Sequence, residues 1–345
     1  MTPSDALPPA PDDPIIDEWF PLVTAADLVP GTMTPVTLLG RRLLVLCALD
    51  GSVTVVDDTC PHRGAQLSLG TFDGARLQCP YHGWEFAADG SCVHRPAHPG
   101  LEIPDSCALA PVRVTLAYEL WWACLGPTPR PLPRYRPHAE HPGQSIALGP
   151  VRLDATGPRV VENFLDTAHF AFVHEGYLGD LEHTEYRDHE VVVVDGELWA
   201  KDVIAWQPNP GPDALTGCDV HYDYAVDHPY AAMLTKIPSP ESGGDLAGFS
   251  LLIVAAPESE TSCRVWTITT ANDPAADLQV YNDFQAVIFG QDVAVVQSQR
   301  PKRLPLDPRA EVHQRADRMS LAYRRWLVDR GIRYGTSAND SRPVA

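Results

Sequence analysis

The sequence predicts an α+β fold in two parts, the first all-β and the second mixed. Up to about residue 125, short apolar runs alternate with Gly, Pro and Asp, and "RRLLVLCALDGSVTVVDD" predicts two strands joined by an Asp-Gly turn. Beyond residue 159, strand-like runs are followed by two helical stretches, "DLQVYNDFQAVIFGQDVAVVQSQRP" and "AEVHQRADRMSLAYRRWLVDRG". Antiparallel strands packed on long helices make the second part α+β.

A cluster of prolines separates the two parts. Residues 126–145 read "GPTPRPLPRYRPHAEHPGQS", and proline neither donates to a sheet nor continues a helix. The Pro- and Asp-rich N-terminus has no leader pattern and predicts a disordered tail. The predicted organisation is a tail at 1–18, an all-β domain at 19–125, a connection at 126–158 and a mixed domain at 159–345.

The composition excludes some classes of partner. The 345 residues carry a formal net charge of −19, which repels phosphate backbones and argues against nucleic-acid binding. No apolar run approaches the roughly 18 residues of a membrane span, so we expect no membrane partner. The 8 cysteines are too sparse for a secreted disulfide scaffold. We expect a cytoplasmic protein, in whose reducing surroundings paired Cys and His indicate metal.

Four potential metal ligands lie in two neighbouring loops. Cys60 and His62 form C-x-H, and after sixteen residues Cys79 and His82 form C-x-x-H. A structural zinc site is the alternative, but zinc patterns usually group two Cys and then two His, or use four Cys. One sulfur and one nitrogen from each loop instead suit a two-iron cluster with thiolates on one iron and imidazoles on the other.

A second group of polar residues lies in "ENFLDTAHFAFVH". Asn163, Asp166 and His169 step by three, which predicts one face of a helix. His174 comes five residues after His169, so both can reach one metal only if the helix ends or bulges between them. Two imidazoles and a carboxylate suit Fe(II) with sites open to O₂. The alternative, a solvated helix, fits poorly because the segment is apolar nearly all round.

The two loops, "CPHRGAQLSLG" and "CPYHGWEF", resemble the ligand loops of Rieske [2Fe–2S] domains, and "ENFLDTAHFAFVH" resembles the iron-binding helix of Rieske non-heme iron oxygenases. The resemblance covers about residues 19–300. It is strongest to α-subunit-only members such as vanillate O-demethylase, dicamba O-demethylase and toluenesulfonate methyl-monooxygenase. It implies a Rieske domain followed by an antiparallel-sheet, helix-grip (START-like) catalytic domain.

The resemblance also implies the cofactors and their ligands. The [2Fe–2S] cluster is expected on Cys60, His62, Cys79 and His82, and mononuclear Fe(II) on His169, His174 and a distant Asp. The segment "FGQDVAVVQSQRP" makes Asp292 that third ligand, with Asp283 as the alternative.

The predicted catalytic residues are Asp166 and Asn163. The resemblance implies a separate role for Asp166. Carried over, Asp166 connects His82 of one subunit to His169 of its neighbour. Electrons then cross a subunit boundary, which requires a closed homo-oligomeric ring. The family's usual ring is a trimer.

The expected activity is that of the oxygenase component of a Rieske-type monooxygenase, of the EC 1.14 class. It uses O₂ and electrons from a separate NAD(P)H-dependent ferredoxin or flavin reductase, since the chain has no G-x-G-x-x-G motif. It hydroxylates or O- or N-demethylates a small aromatic or cyclic molecule. The alternatives are a Rieske electron carrier without oxygenase chemistry and a ring-hydroxylase or desaturase acting in biosynthesis.

The substrate pocket is predicted from periodicity. Counting back from Asp292 along a helix places four side chains on its face, and one strand adds two more. Helix-to-sheet core packing is an equally good interpretation of the same pattern. No Arg stands out as a partner for a substrate carboxylate, and lysines are few. The candidates are Tyr281, Gln285, Ile288, Phe289, His221 and Tyr222.

Overall fold

The first part of the molecule consists of three small antiparallel sheets. The computed structural model describes residues 7–211, 216–239 and 248–339. The strands of this part are β1 (Trp19–Thr24), β2 (Thr32–Leu38), β3 (Arg41–Cys47), β4 (Val53–Asp57), β5 (Thr71–Phe72), β6 (Arg76–Gln78), β7 (Glu85–Ala87), β8 (Cys92–His94), β9 (Arg113–Ala117) and β10 (Leu120–Cys124). The sheet orders are β1-β10-β9, β2-β3-β4 and β5-β6-β7-β8. The predicted hairpin is confirmed: a turn at Asp50-Gly51 joins β3 to β4, with φ +84° at Gly51.

The second part contains one large antiparallel sheet and several helices. Its elements are α1 (Arg136–Glu140), β11 (Ser145–Leu153), α2 (Gly157–Phe164), α3 (Phe170–Val173), β12 (Glu190–Val194), β13 (Glu197–Gln207), β14 (Cys218–His228), β15 (Ala231–Pro238), β16 (Phe249–Ser259), β17 (Ser262–Ala271), α4 (Leu278–Ser298) and α5 (Arg318–Asp329). The strand order is β11-β17-β16-β15-β14-β13-β12. Helix α4 packs on β11 and β17, and α2 packs on β15 and β16. The predicted α+β class is confirmed.

Two parts of the predicted organisation differ from the structure. The predicted tail lies outside the described residues only at 1–6, and its described part includes a 3₁₀ turn at Pro14–Asp17. Asp13 caps this turn, and Ile15 is fully buried in the core. The predicted connection at 126–158 contains β11, an edge strand whose register with β17 shifts beside Pro150. That bulge hides the alternation typical of a strand.

Asn163, Asp166 and His169 do not lie on one helix, contrary to the prediction, because the helix ends before Asp166 and not between His169 and His174. Helix α2 begins at the Thr156 cap and ends at Phe164. The Asp166 carboxylate accepts a hydrogen bond from the Ala168 amide (2.9 Å), and this side-chain turn competes with helical pairing. The polar residues that step by three therefore do not share one helix face.

Helix α5 also differs at its start. It begins at Arg318, later than predicted, and a 3₁₀ turn precedes it. Gly331 follows the last turn with φ +71°, the left-handed conformation that commonly ends a helix. Among the described helices, none is long and apolar enough to cross a membrane.

Within the described residues, the two larger hydrophobic cores position the functional groups. The larger one runs through both parts, and the Phe20 ring of β1 packs edge-on against Tyr230 of the large sheet. Arg264 donates to the carbonyls of Leu22 (3.0 Å) and Thr37 (3.1 Å) across the same junction. The smaller core lies beneath the two Cys/His loops and includes Cys60. The large sheet and its helices therefore hold the second group of polar residues, while a separate core holds the first.

Candidate functional site

The two Cys/His loops have the same backbone geometry. The amide of Gly64 donates to the Cys60 carbonyl (2.9 Å), and the amide of Gly83 donates to the Cys79 carbonyl (3.1 Å). Each cysteine amide in turn donates to the carbonyl five residues on, at 2.8 Å in both loops. The glycines have φ +70° and +68°, a left-handed conformation that a side chain would strain. Each loop is thus a closed turn that presents its Cys and His.

The sulfur atoms face inward and the imidazoles face outward. Cys60 and Cys79 are 2% exposed, whereas His62 and His82 lie at the surface with ring centroids 4.5 Å apart. Burial, together with the neighbouring Cys79, raises the pKa of the Cys60 thiol to about 11, so its thiolate requires a bound cation. Two buried sulfurs and two surface imidazoles fit the donor set of a Rieske cluster.

Trp84 is a part of this site that the sequence analysis missed. Its indole stacks on the His62 ring at 4.8 Å with an interplanar angle of 3°. The Arg95 guanidinium lies 5.9 Å from the centre of the Trp84 ring. The residue follows directly after "CPYHG", so its place beside the second loop was a signal in the sequence. The stacking fixes the orientation of an otherwise exposed imidazole.

A second donor set lies between α3 and α4. His169 is the N-cap and His174 the C-cap of the single turn α3, which is how two residues five apart reach one point. Their Nε2 atoms are 3.2 Å apart. Oδ1 of Asp292, from α4, lies 3.5 Å from Nε2 of His169 and 3.3 Å from Nε2 of His174.

Hydrogen bonds on the outer nitrogens orient both imidazoles. Nδ1 of His169 lies 3.1 Å from Oδ2 of Asp166, and Nδ1 of His174 lies 2.8 Å from Oε1 of Gln291. Because both partners are acceptors, each Nδ1 carries the proton and each Nε2 directs a lone pair to the centre. Gln291 was not predicted, although it directly precedes Asp292.

The three inner atoms fit a metal ion. They are a group of potential ligands lying within 4.8 Å of one another. Two lone pairs and a carboxylate oxygen at such distances repel one another unless a cation lies between them. The three separations are similar, so the atoms occupy one triangular face and leave the other side of an ion open. Two His and one carboxylate with open positions suit Fe(II).

The remaining predicted residues of this group are also placed by the structure. Nδ2 of Asn163 donates to Oδ1 of Asp292 (3.2 Å). Asp166 is partly exposed, with 31% of its side chain accessible, so it connects His169 to the surface. Asp283, the alternative ligand, is exposed and accepts a hydrogen bond from Gln279 on its own helix. Asp283 is therefore not part of the group.

Comparisons with known families decide the identity. Residues 18–105 match the Rieske [2Fe-2S] domain, and residues 153–330 match the vanillate O-demethylase oxygenase C-terminal domain. The chain is a Rieske non-heme iron oxygenase. The predicted family, fold and enzyme class are thereby confirmed, and the electron-carrier alternative is not supported.

Individual relatives agree with this assignment. The oxygenase is 31% identical to methylxanthine N1-demethylase NdmA of Pseudomonas putida over 90% of this chain and 87% of that protein. The solved structure of NdmA with caffeine superposes with a TM-score of 0.75 at 29% identity, covering 91% and 90% of the two chains. The oxygenase is also 36% identical to the probable methylxanthine N7-demethylase NdmC of Pseudomonas sp. (strain TJI-51), over 64% of this chain and 78% of NdmC.

A third relative is an oxidoreductase. The Pseudomonas putida oxidoreductase NdmD is 34% identical over 33% of this chain and 20% of its own length. As a member of its family, the oxygenase uses a [2Fe–2S] cluster, a mononuclear iron and O₂, and it receives electrons from NAD(P)H through a separate protein.

A cavity opens beside the second donor set of the oxygenase. Four of the six predicted pocket residues line it, three from α4 and one from β14: Gln285, Ile288, Phe289 and Tyr222. Additional aromatic lining comes from Phe164, Phe170, Tyr224, Phe249 and Phe284. The rings of Tyr222 and Tyr224 are stacked, with centroids 5.7 Å apart. Such a lining suits a flat, ring-shaped molecule.

Two predicted pocket residues do not line the cavity. His221 points away from the cavity, because alternate residues of β14 point to opposite faces of the sheet. This half-buried residue has its Nδ1 2.6 Å from the Asp202 carboxylate. Tyr281 packs edge-on against Phe249 at 5.5 Å, in a small cluster at the start of α4. Tyr281 lies eleven positions before Asp292, so the helix continues beyond the cavity.

Lys236 of β15 also lines the cavity and was not predicted. The signal was a lysine inside the apolar strand "AAMLTKIP". Its direction depends on the strand register, which a single sequence does not give.

Proposed function

We propose that the oxygenase removes an N- or O-bound methyl group from a small aromatic or heterocyclic substrate. The observation that carries this proposal is the open side of the His169, His174 and Asp292 donor set, which faces a cavity lined by aromatic rings. NdmA is a methylxanthine N1-demethylase and NdmC a probable methylxanthine N7-demethylase, which favours nitrogen as the methyl-bearing atom.

The proposed roles of the residues follow from their contacts. Cys60, Cys79, His62 and His82 hold the cluster; His169, His174 and Asp292 hold the mononuclear iron. When bound, this iron supplies activated oxygen that hydroxylates the methyl carbon. The aromatic walls exclude water and orient the ring so that the methyl group points to the donor set.

The overall reaction balances with two electrons. The substrate methyl, O₂, two electrons and two protons give the demethylated product, formaldehyde and water. The hydroxylated carbon bears both its new hydroxyl and the nitrogen or oxygen. It therefore collapses by breaking the bond to that nitrogen or oxygen, which takes up a proton. No carbon oxidation beyond formaldehyde is required.

Electron delivery is proposed to cross between subunits of a homotrimer. Asp166 reaches His169 on one side and the surface on the other. Among the described residues, no hydrogen bond or ring contact joins His62 or His82 to Asp166 within one chain. The cluster of a neighbouring subunit is therefore the proposed donor, through His82. The domain limits and a cytoplasmic location likewise remain predictions.

A formaldehyde assay tests the proposal. The holoenzyme, supplied with NADH and a matched reductase, is given N-methylated bicyclic heterocycles and methoxyarenes, and formaldehyde is measured against substrate consumed. We expect one formaldehyde per substrate, and none from Asp292→Ala. Substrate consumption that yields a ring-hydroxylated or dehydrogenated product without formaldehyde would overturn the demethylase proposal.

A further inference from the structure

A lysine lies in the wall of the cavity without a hydrogen-bond partner. Lys236 is 2% exposed, and its Nζ atom makes no hydrogen bond to any residue that the structure describes. Three aromatic rings surround this nitrogen: the centre of Tyr222 is 5.9 Å away, that of Phe249 is 5.3 Å away and that of Phe284 is 5.6 Å away. Lysine is rarely so buried unless it is paired.

The cage follows from the strand register. Tyr222 of β14 and Phe249 of β16 are the cross-strand neighbours of Lys236 on either side of β15, and Phe284 covers it from α4. Ring faces attract an ammonium group but accept no strong hydrogen bond from it. The three rings therefore hold the nitrogen in place and leave its donor capacity unused.

No counter-charge faces this nitrogen within the described lining of the cavity. The carboxylate that lines the cavity is Asp292, which lies within reach of two histidines and Asn163. The titratable groups that face Lys236 are Tyr222 and Cys218 of β14, and burial raises the pKa of the Tyr222 phenol. Burial likewise lowers the pKa of Lys236 to about 7, which shows how poorly the protein groups around the amine compensate its charge.

We propose that Lys236 is the specificity-determining residue of the oxygenase, binding an anionic oxygen of the substrate and so selecting acidic ring compounds over neutral ones. The inference rests on the proposed function, because it assumes that this cavity binds the substrate. A carboxylate supplies both missing elements, a hydrogen-bond acceptor and a negative charge, in surroundings where water contributes little.

The spacing along α4 limits the shape of this substrate. Phe284 precedes Asp292 by eight residues, or about 12 Å along a helix axis. The lysine cage and the donor set are therefore about two helical turns apart. A substrate that reaches both the lysine and the donor set carries its methyl group at one end of a ring system and its anionic group at the other end.

Binding measurements on matched ligand pairs test the proposal. Dissociation constants are measured by calorimetry at pH 6.5 for 1-methylindole-5-carboxylate and its carboxamide, and for 4-methoxybenzoate and its carboxamide. We expect the wild type to bind each acid at least tenfold more tightly than its amide. In Lys236→Met this preference falls at least tenfold. Lys201→Met, which removes an exposed lysine on β13, leaves the preference unchanged.

A second measurement covers the case in which Lys236→Met does not fold. In the wild type, the Kd of the carboxylate ligand should rise between pH 6 and pH 9, because the ligand stays ionised while the Lys236 amine loses its proton. The Kd of the carboxamide ligand should not change over this range. Equal binding of acid and amide, or a Lys236→Met variant that weakens both by the same factor, overturns the assignment. These outcomes are independent of formaldehyde release, so they remain distinguishable from a failure of the demethylase proposal.

Discussion

Asn163 and Asp292 are joined by a hydrogen bond of 3.2 Å although 129 positions separate them in the chain. Asn163 lies in the last turn of α2, and Asp292 lies in the middle of α4. The bond is made to Oδ1, the same oxygen that faces both histidines. The amide of Asn163 thus fixes the carboxylate in the orientation that the donor set requires.

Removing this amide is expected to weaken iron binding. Asn163→Leu leaves the Asp292 carboxylate free to rotate, and loss of such a partner typically lowers metal affinity by roughly 10- to 100-fold. We expect iron per chain to fall from about three towards about two, since the cluster ligands are untouched. The cluster absorption should be unchanged. Asp283→Asn serves as the control, because Asp283 lies on the exposed side of α4, the helix that carries Asp292. Full iron retention in Asn163→Leu would contradict the role assigned to Asn163.

Mixed oligomers test electron transfer between subunits. Cys79→Ser is expected to lose the cluster but keep the mononuclear iron, and Asp292→Ala is expected to do the reverse, so each alone is inactive. Co-expressed, they form oligomers in which the cluster of one subunit lies beside the iron of the next. Formaldehyde release should recover to a substantial fraction of the wild-type rate, and native mass spectrometry should show three chains. Recovery requires that electrons cross the boundary; an inactive mixture would mean that they stay within one chain.

Lys236 is expected to make stability depend on pH. The pKa of Lys236 is about 7 in the folded protein, against an ordinary value of 10.5 that applies to the unfolded chain. Between these two pH values the unfolded chain binds a proton that the folded chain does not. Stability therefore rises with pH across this window, and the penalty is greatest below pH 7. At 1.36 kcal/mol per pKa unit, replacing Lys236 by Met should raise the free energy of unfolding by about 2–3 kcal/mol more at pH 6 than at pH 9.

Urea denaturation at the two pH values measures this difference. Lys201→Met, exposed on β13, should show no such dependence. A Lys236→Met variant whose stability relative to wild type is the same at both values would show that the amine does not titrate in this window.

A buried ion network ties α2 to α5. Arg324 donates to both oxygens of Glu162 (2.6 and 3.0 Å) and to Glu311 (2.6 Å). Arg159 completes the network through the same two carboxylates. Arg324→Met leaves Glu162 and Glu311 to share Arg159 alone, so one buried negative charge is uncompensated, and the variant should be destabilised by about 3–5 kcal/mol. Arg325→Met, its exposed neighbour, should change stability by less than about 0.5 kcal/mol. Equal losses in the two variants would refute the assigned role of the network.

Much of the fold was predictable because its signals are local. The hairpin at Asp50-Gly51 follows from turn chemistry, and the cluster loops follow from residue types that few other sites require. The long helix that carries Asp292 was visible as a continuous apolar stretch. These features depend on short segments, whose conformations neighbouring residues largely determine.

The features that were missed depend on distant parts of the chain. Asp292 was chosen over Asp283 from the resemblance alone, because the two lie nine residues apart on opposite faces of α4 and the sequence does not show which face meets α2. Lys236 points inward because β15 pairs in one particular register. The helix break at Asp166 results from a side-chain turn that competes with the backbone, and propensity gives no warning of it.

The small core beneath the two ligand loops implies an order of events on heating. It is separate from the core that joins the two parts of the chain, and Leu67, Leu77 and Phe86 are among its buried side chains. Fewer apolar contacts resist its opening, so this region forms a weaker cooperative unit. A warmed sample should lose its colour while the circular dichroism of the large sheet is still intact. Bleaching therefore marks the temperature limit for use of the enzyme, well before the protein precipitates.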